Sequence, residues 1–259
     1  MANTSSNKQT IKRPSLWLFA SEAGRAVAEW GLFRVAKAVK RREIQGNGEP
    51  VVVIPGFMTT DRSTRVLRGF LDDLGYTSYP WDQGRNFGSP EYVFKMIDRI
   101  KAIYAEHQQK VCLIGWSLGG VYAREIAKEI PEMVTQVITL GSPFGGLTED
   151  NNASWLYTVL SGKRVEDLDK KFIENVHLAP PVPVTAIYTK GDGNVSWQYC
   201  METEDRPDLQ NVAVPGSHCG LGHNITVLNI IANRLGQAAD SWEPFRPSWL
   251  QQCITPSVG

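Results

Sequence analysis

The sequence predicts an α/β protein: a mostly parallel sheet of about six strands, helices on both faces and a small helical cap. Three observations carry this prediction. Short β-branched runs, the first at Val51–Ile54, alternate with longer segments of helical period. Val51–Ile54 is apolar throughout, as a strand covered on both faces is. One connection, residues 144–183, is far longer than a single crossover helix requires, and connections of that length in a domain usually serve function.

The elements follow in order. Residues 1–14 are polar and predicted to be disordered. Residues 15–41 read as one helix, or two broken near Gly31, with apolar side chains recurring at Leu16, Phe19, Ala23, Val27 and Trp30. Two readings stand for this segment. It packs on the edge of the domain, or it is an interfacial helix, because Arg34, Lys37, Lys40, Arg41 and Arg42 follow the bulky apolar residues. The first 42 residues hold nine Lys or Arg against Glu22 and Glu29 alone. They are therefore set apart as a basic amphipathic segment, with residues 43–259 as the α/β domain.

Within that domain a helix is predicted over 62–74 and a strand over Tyr76–Tyr79. The helix over 89–107 is the clearest. Ser89 caps it, Pro90 suits its first position, and Val93, Ile97, Ile100 and Tyr104 form its buried stripe. Strands follow at Val111–Ile114, Gln136–Leu140, Val184–Tyr188 and Val212–Val214, with helices near 118–129 and over Asn224–Leu235. Right-handed crossovers place the carboxyl ends of all these strands along one edge, where such sheets bind ligands.

Composition excludes several classes. The chain of 259 residues has 27 basic and 27 acidic side chains, so nothing in its net charge draws it to nucleic acid. It contains no run of about 18 uncharged apolar residues, so no spanning helix is expected, and a cytoplasmic location, peripheral to membrane if the N-terminal helix is interfacial, is the expectation. Cys112, Cys200, Cys219 and Cys253 match no zinc spacing, and no metal site is predicted. Cys200 and Cys219 fall near the same strand edge, where a disulfide is geometrically feasible; free thiols are the preferred reading.

The motif that carries chemistry is Gly115-Trp116-Ser117-Leu118-Gly119, directly after a buried strand and directly before a helix. This is the setting of a nucleophile elbow. The turn is tight enough that side chains at 115 and 119 would collide, and the helix N-terminus favours developing negative charge. A serine hydroxyl needs a base. Of the four histidines, His107 falls at the opposite edge of the sheet and His177 in the predicted cap. His218 follows the last strand on the correct edge and is preferred, with His223 the alternate. Asp192, in a glycine-flanked loop after Val184–Tyr188, is the preferred acid, while Glu202, Glu204 and Asp205 read as a solvated loop. For the oxyanion, backbone N–H groups are expected from Phe57, after the first strand, and from Leu118. Met58, Trp116, Phe144, Trp155, Leu156 and Tyr157 are expected to join Phe57 around an apolar acyl pocket, about half of them touching substrate. The constellation requires no cofactor.

These residues resemble the α/β-hydrolase superfamily, and more closely its bacterial esterase/lipase-like branch, over roughly residues 50–236. The most specific pieces are Gly115-Trp-Ser-Leu-Gly-Gly-Val-Tyr-Ala-Arg-Glu125, Gly141-Ser-Pro143, Gly191-Asp192-Gly193 and Gly216-Ser-His-Cys-Gly-Leu-Gly222, with Trp81–Gly88 also similar. In similar lipases the histidine lies in a Gly-x-His-x-Gly-Leu setting, which matches His218. The resemblance implies Phe57 and Leu118 as the oxyanion hole by position. The chain departs from it in carrying Pro55 where many relatives have a histidine, and in lacking obvious antiparallel strands before residue 50.

The function these residues predict is hydrolysis of small-molecule or lipid carboxylic esters through an acyl-enzyme. Acyl transfer or thioester hydrolysis on the same triad is the alternative. A non-catalytic lipid-surface module on the same fold is a third reading, against which the intact constellation argues. Contact with a lipid surface through the N-terminal helix is expected in addition.

Overall fold

Pro50–Ile54 forms strand β1, and all five of its residues are buried. Val51 and Val53 enter one apolar cluster, and Val52 and Ile54 enter another. The sheet therefore has two covered faces, which is why this run lacks polar alternation. The structure, a computed structural model, describes residues 13–39, 45–145, 175–237 and 242–246. The predicted disorder of the first twelve residues, Cys253 and most of the predicted cap, 146–174, fall outside them.

Helix α1 (Leu16–Val39) precedes β1. It is followed by α2 (Arg65–Asp73), β2 (Thr77–Pro80), α3 (Glu91–His107), β3 (Val111–Trp116) and α4 (Leu118–Glu129). Then come β4 (Val134–Leu140), β5 (Val184–Tyr188), β6 (Leu209–Ala213) and α5 (Ile225–Leu235). Among the described residues the sheet has six strands in the order β2-β1-β3-β4-β5-β6, every adjacent pair parallel. Helices α2 and α5 cover one face, and α3 and α4 cover the other. The chain runs outward from β1 to β2, then returns to β3 on the other side of β1. The order of the strands thus reverses between β1 and β3, where open α/β sheets bind their ligands.

Local chemistry explains most element boundaries. Asn224 caps α5 by accepting from the N–H groups of Thr226 and Val227. Gln108 ends α3 in the left-handed conformation. The buried stripe of α3 is Val93, Met96, Ile97, Ile100 and Ile103. Tyr104, expected there, is only half buried, because the stripe turns at Ile100 toward Ile103. Strand β6 begins three residues earlier than predicted. It is an edge strand, half-buried throughout, and its polar Gln210 and Asn211 disguise it. Gln210 exchanges hydrogen bonds with the main chain of Phe245, which lies beside that edge.

The largest departure concerns α1. It is one helix, unbroken at Gly31. Its recurring apolar residues do not pack on the domain: Leu16, Phe19, Val27 and Trp30 are exposed, as are Trp17, Leu32 and Val35. The inward side is formed by Leu18, Glu22, Arg25, Ala26, Glu29 and Phe33. Those positions are three, four or seven apart and share one helix face. Lys40, Arg41 and Arg42 lie outside the described residues.

Ile100 is fully buried between α3 and the sheet. Ile100→Ala is expected to destabilise the protein by about 2–5 kcal/mol, read as a lower urea midpoint with an unchanged slope.

Candidate active site

The turn from β3 to α4 sets the position of Ser117. Its φ is 53° and ψ −122°, a conformation that side chains rarely adopt. A Cβ on Gly115 would lie 2.3 Å from the carbonyl oxygen of Gly119, and one on Gly119 would lie 2.3 Å from that of Ile54. Only glycine permits this approach, as the motif predicts. The Ser117 N–H donates to the carbonyl of Leu140 at 2.8 Å, tying the elbow to the end of β4.

Asp192 and His218 meet from the ends of β5 and β6. His218 Nδ1 is 2.6 Å from Asp192 Oδ2, and both residues are buried. The other carboxylate oxygen, Oδ1, accepts from the N–H groups of Asn194 (2.8 Å) and Val195 (2.7 Å), so the acid is held at both ends. The imidazole lies against Gly141, at φ 56°, where a Cβ would stand 3.0 Å from Nδ1. Gly141 follows Leu140, the residue that takes the Ser117 N–H, so base and serine flank the same end of β4. His223 is directed elsewhere: its Nε2 is 2.8 Å from the carbonyl of Ala26 in α1.

Burial disfavours a charged His218. The Asp192 carboxylate, its hydrogen bond to the ring and the Glu22 carboxylate outweigh that penalty and raise the pKa above the ordinary histidine value.

The loop after β1 lies against the elbow, and a Cβ on Gly56 would meet Ser117 Cβ at 3.3 Å. Among the described residues, no protein group accepts the N–H of Phe57 or of Leu118. Asn86 shapes this loop. It is fully buried, its Nδ2 donates to the Pro55 carbonyl (3.0 Å), its N–H donates to the Thr59 carbonyl (2.9 Å), and its carbonyl accepts from the Met58 N–H (2.7 Å). The loop that bears Pro55 is thus secured by the segment Trp81–Gly88, a role the sequence did not disclose.

The remaining expected pocket residues divide. Met58 is exposed at φ 57°, beside the site. Trp116 is buried and donates its indole N–H to the His218 carbonyl at 3.1 Å, so it supports the base loop from below. Phe144 is buried with its ring 3.7 Å from the Arg124 guanidinium. Trp155, Leu156 and Tyr157 lie outside the described residues. Glu202, read as solvated, is instead buried in an ion pair with Arg124, which also donates to the carbonyls of His177 and Leu178. The sequence separation of the two partners hid that pairing. Cys200 and Cys219 are free thiols, the first buried and the second exposed.

Two carboxylates were missed. Glu22 and Glu29 of α1 reach the loops of Asp192 and His218. The available signal was their spacing: they are seven residues apart, with Arg25 between them, on one face of a predicted helix.

A family model described as the PGAP1-like alpha/beta domain matches residues 83–180, from the Asn86 segment through the elbow. Among solved structures, Aspergillus fumigatus lipase B superposes with a TM-score of 0.58 at 19% identity, over 77% of this chain and 55% of that one. A Pyrococcus furiosus esterase gives 0.56 at 14% identity, over 74% and 82%. The monoacylglycerol lipase of Paleococcus ferrophilus gives 0.53 at 14%, over 73% and 96%. The chain has the α/β-hydrolase fold. No curated protein sequence matches it. In the α/β-hydrolase fold the serine, acid and base occur in that order along the chain, as Ser117, Asp192 and His218 do.

A histidine base acts in its neutral form, so activity falls as pH drops through its pKa. The acid limb of kcat/KM is therefore expected above the ordinary histidine value of about 6.5. Asp192→Asn removes the leading charge that raises it. That variant is expected to move the limb to lower pH and to cut kcat by on the order of 10⁴, measured by pH-rate profiles. Asn86→Ala frees the loop that carries the Phe57 N–H and is expected to lower kcat by on the order of 10², read with the folded fraction held equal by circular dichroism.

Proposed function

We propose that this protein is a serine-dependent carboxylic ester hydrolase. The observation that carries this reading is the buried 2.6 Å hydrogen bond between His218 and Asp192, at the same strand edge as a serine held at positive φ before a helix. In this mechanism Ser117 Oγ attacks the ester carbonyl carbon while His218 Nε2 takes its proton. The N–H groups of Phe57 and Leu118 receive the oxyanion. Asp192 holds the Nδ1–H tautomer and stabilises the imidazolium. Collapse of the tetrahedral intermediate breaks the ester C–O bond, and His218 protonates the departing alcohol. Water, deprotonated by His218, then attacks the acyl-enzyme and releases the carboxylic acid and free Ser117.

Lipid esters are the favoured substrate class. Solved structures of similar fold bear the names monoacylglycerol lipase and lipase B, which suggests this class without identifying the acyl chain. The exposed apolar residues of α1 favour contact with a lipid surface as well. No helix among the described residues is long and apolar enough to cross a membrane, so the contact is peripheral in this reading.

Ser117→Ala is expected to abolish hydrolysis of p-nitrophenyl esters and labelling by a fluorophosphonate probe; a wild-type rate in that variant would sink the reading. Product analysis with a competing alcohol separates hydrolysis from acyl transfer. Replacing both Trp17 and Leu32 by Ser is expected to weaken co-sedimentation with phosphatidylglycerol vesicles by on the order of a hundredfold. Equal binding would remove the lipid-surface reading.

A further inference from the structure

Glu22 is only 5% exposed although α1 lies at the surface. Its Oε1 accepts from the N–H of Gly193 at 2.7 Å and that of His218 at 3.2 Å, and its Oε2 accepts from the N–H of Cys219 at 2.9 Å. One carboxylate thereby ties the residue after the acid to the base and the residue after it. Arg25 pairs with Glu22 at 2.9 Å and donates to the carbonyls of Gly191 (2.7 Å) and Gly216 (3.2 Å). Glu29 accepts from the N–H and hydroxyl of Ser217, at 2.8 and 2.7 Å, and from Asn224 Nδ2 at 2.9 Å. Every residue of Gly216–Cys219, and both neighbours of Asp192, are engaged by side chains of this helix.

The loops are shaped to receive it. Gly193 does not have a positive φ, so its turn does not call for glycine. A Cβ there would lie 2.5 Å from the carbonyl of Leu18 in α1. One on Gly220 would lie 2.3 Å from the Glu29 carboxylate. The absence of side chains at these positions admits the helix. A buried carboxylate is costly unless its oxygens are satisfied, and both oxygens of Glu22 are filled by main-chain donors of the two loops.

We propose that α1 belongs to the catalytic apparatus and that Glu22 is its positioning residue, holding the Asp192 and His218 loops in register so that acid and base stay joined. The proposal rests on the triad reading above and extends it to a helix more than 150 residues earlier in the chain. The charged and titratable groups around His218 are Asp192, Glu22 with its partner Arg25, Glu29 through Ser217, and the Cys219 thiol.

The test compares the full-length wild type with Glu22→Ala, Glu22→Gln, Gly193→Ala and the inactive Ser117→Ala. Two readouts are used: p-nitrophenyl butyrate kinetics, and titration of His218 by NMR of ¹⁵N-histidine-labelled protein. Glu22→Ala is expected to lower kcat by on the order of a hundredfold with KM little changed. Glu22→Gln, which retains one acceptor oxygen, restores part of that loss. Gly193→Ala deletes no contact but pushes the helix off the acid loop, and it is expected to reproduce the kcat loss. In both Glu22 variants the His218 titration and the acid limb of kcat/KM move to lower pH. Unchanged kcat in Glu22→Ala overturns the proposal. If that variant does not fold, unchanged kcat in both Glu22→Gln and Gly193→Ala overturns it. If the wild type, like Ser117→Ala, hydrolyses no ester, the triad reading fails on its own; the His218 titration then decides the positioning role, and an unmoved value in Glu22→Gln overturns it.

Discussion

Where β3 passes into α4, the main chain of Gly119 approaches the Ile54 carbonyl so closely that a methyl group would stand 2.3 Å away. The rest of the site depends on this approach. It brings the end of β1 beside the end of β3, and with it the Gly56 loop beside Ser117. It also holds Ser117 at positive φ at the helix start, where partial positive charge accumulates. A side chain at 119 would push α4 from the sheet and separate Ser117 from the Gly56 loop. The elbow is therefore a packing constraint before it is a chemical one.

A parallel sheet converts that local constraint into a site. Because all six strands run the same way, the loops after β1, β3, β5 and β6 emerge on one side. Each brings one part of the candidate site: Phe57, Ser117, Asp192 and His218. Among the described residues, no strand lies beyond β6 to brace the loops of Asp192 and His218. They are braced by main-chain hydrogen bonds to side chains of α1. The Asp192 loop is further closed on itself by the bonds from Asn194 and Val195.

The polar interior follows the same logic. Arg124, fully buried in α4, is matched by the Glu202 carboxylate, two carbonyls and the face of Phe144. Removing either ion alone would leave an uncompensated buried charge, which is far more destabilising than the intact pair is stabilising. Arg124 joins α4 to His177 and Leu178, before β5, and to the loop preceding β6, so the helix that starts after Ser117 also steadies the approach to the strand that precedes Asp192. Asn86 acts comparably around Pro55, with neutral groups in place of charges.

The elements whose cause is local were legible in the sequence. Val51–Ile54 reads as a buried strand because β-branched residues without alternation suit two covered faces. Gly115-Trp-Ser-Leu-Gly119 reads as an elbow because Gly115 answers a clash with Gly119 inside the motif, whereas the contact that requires Gly119 is with Ile54 of β1 and lies outside it. Asp192 and His218 were singled out by their place after strands, and the two side chains lie within hydrogen-bond distance of each other. The inward face of α1 was not legible as such. Hydrophobicity alone assigns Leu16, Phe19, Val27 and Trp30 to the buried side, yet the helix turns Glu22 and Glu29 inward. Apart from Arg25, the partners of these carboxylates lie 171 to 197 residues away along the chain, beyond the reach of any local pattern. What the sequence determined by itself is the order of the elements and the elbow's position, which neighbours within a turn or a strand set. Only the tertiary structure decided which way α1 faces, because a buried carboxylate is stable where distant main-chain donors converge on it.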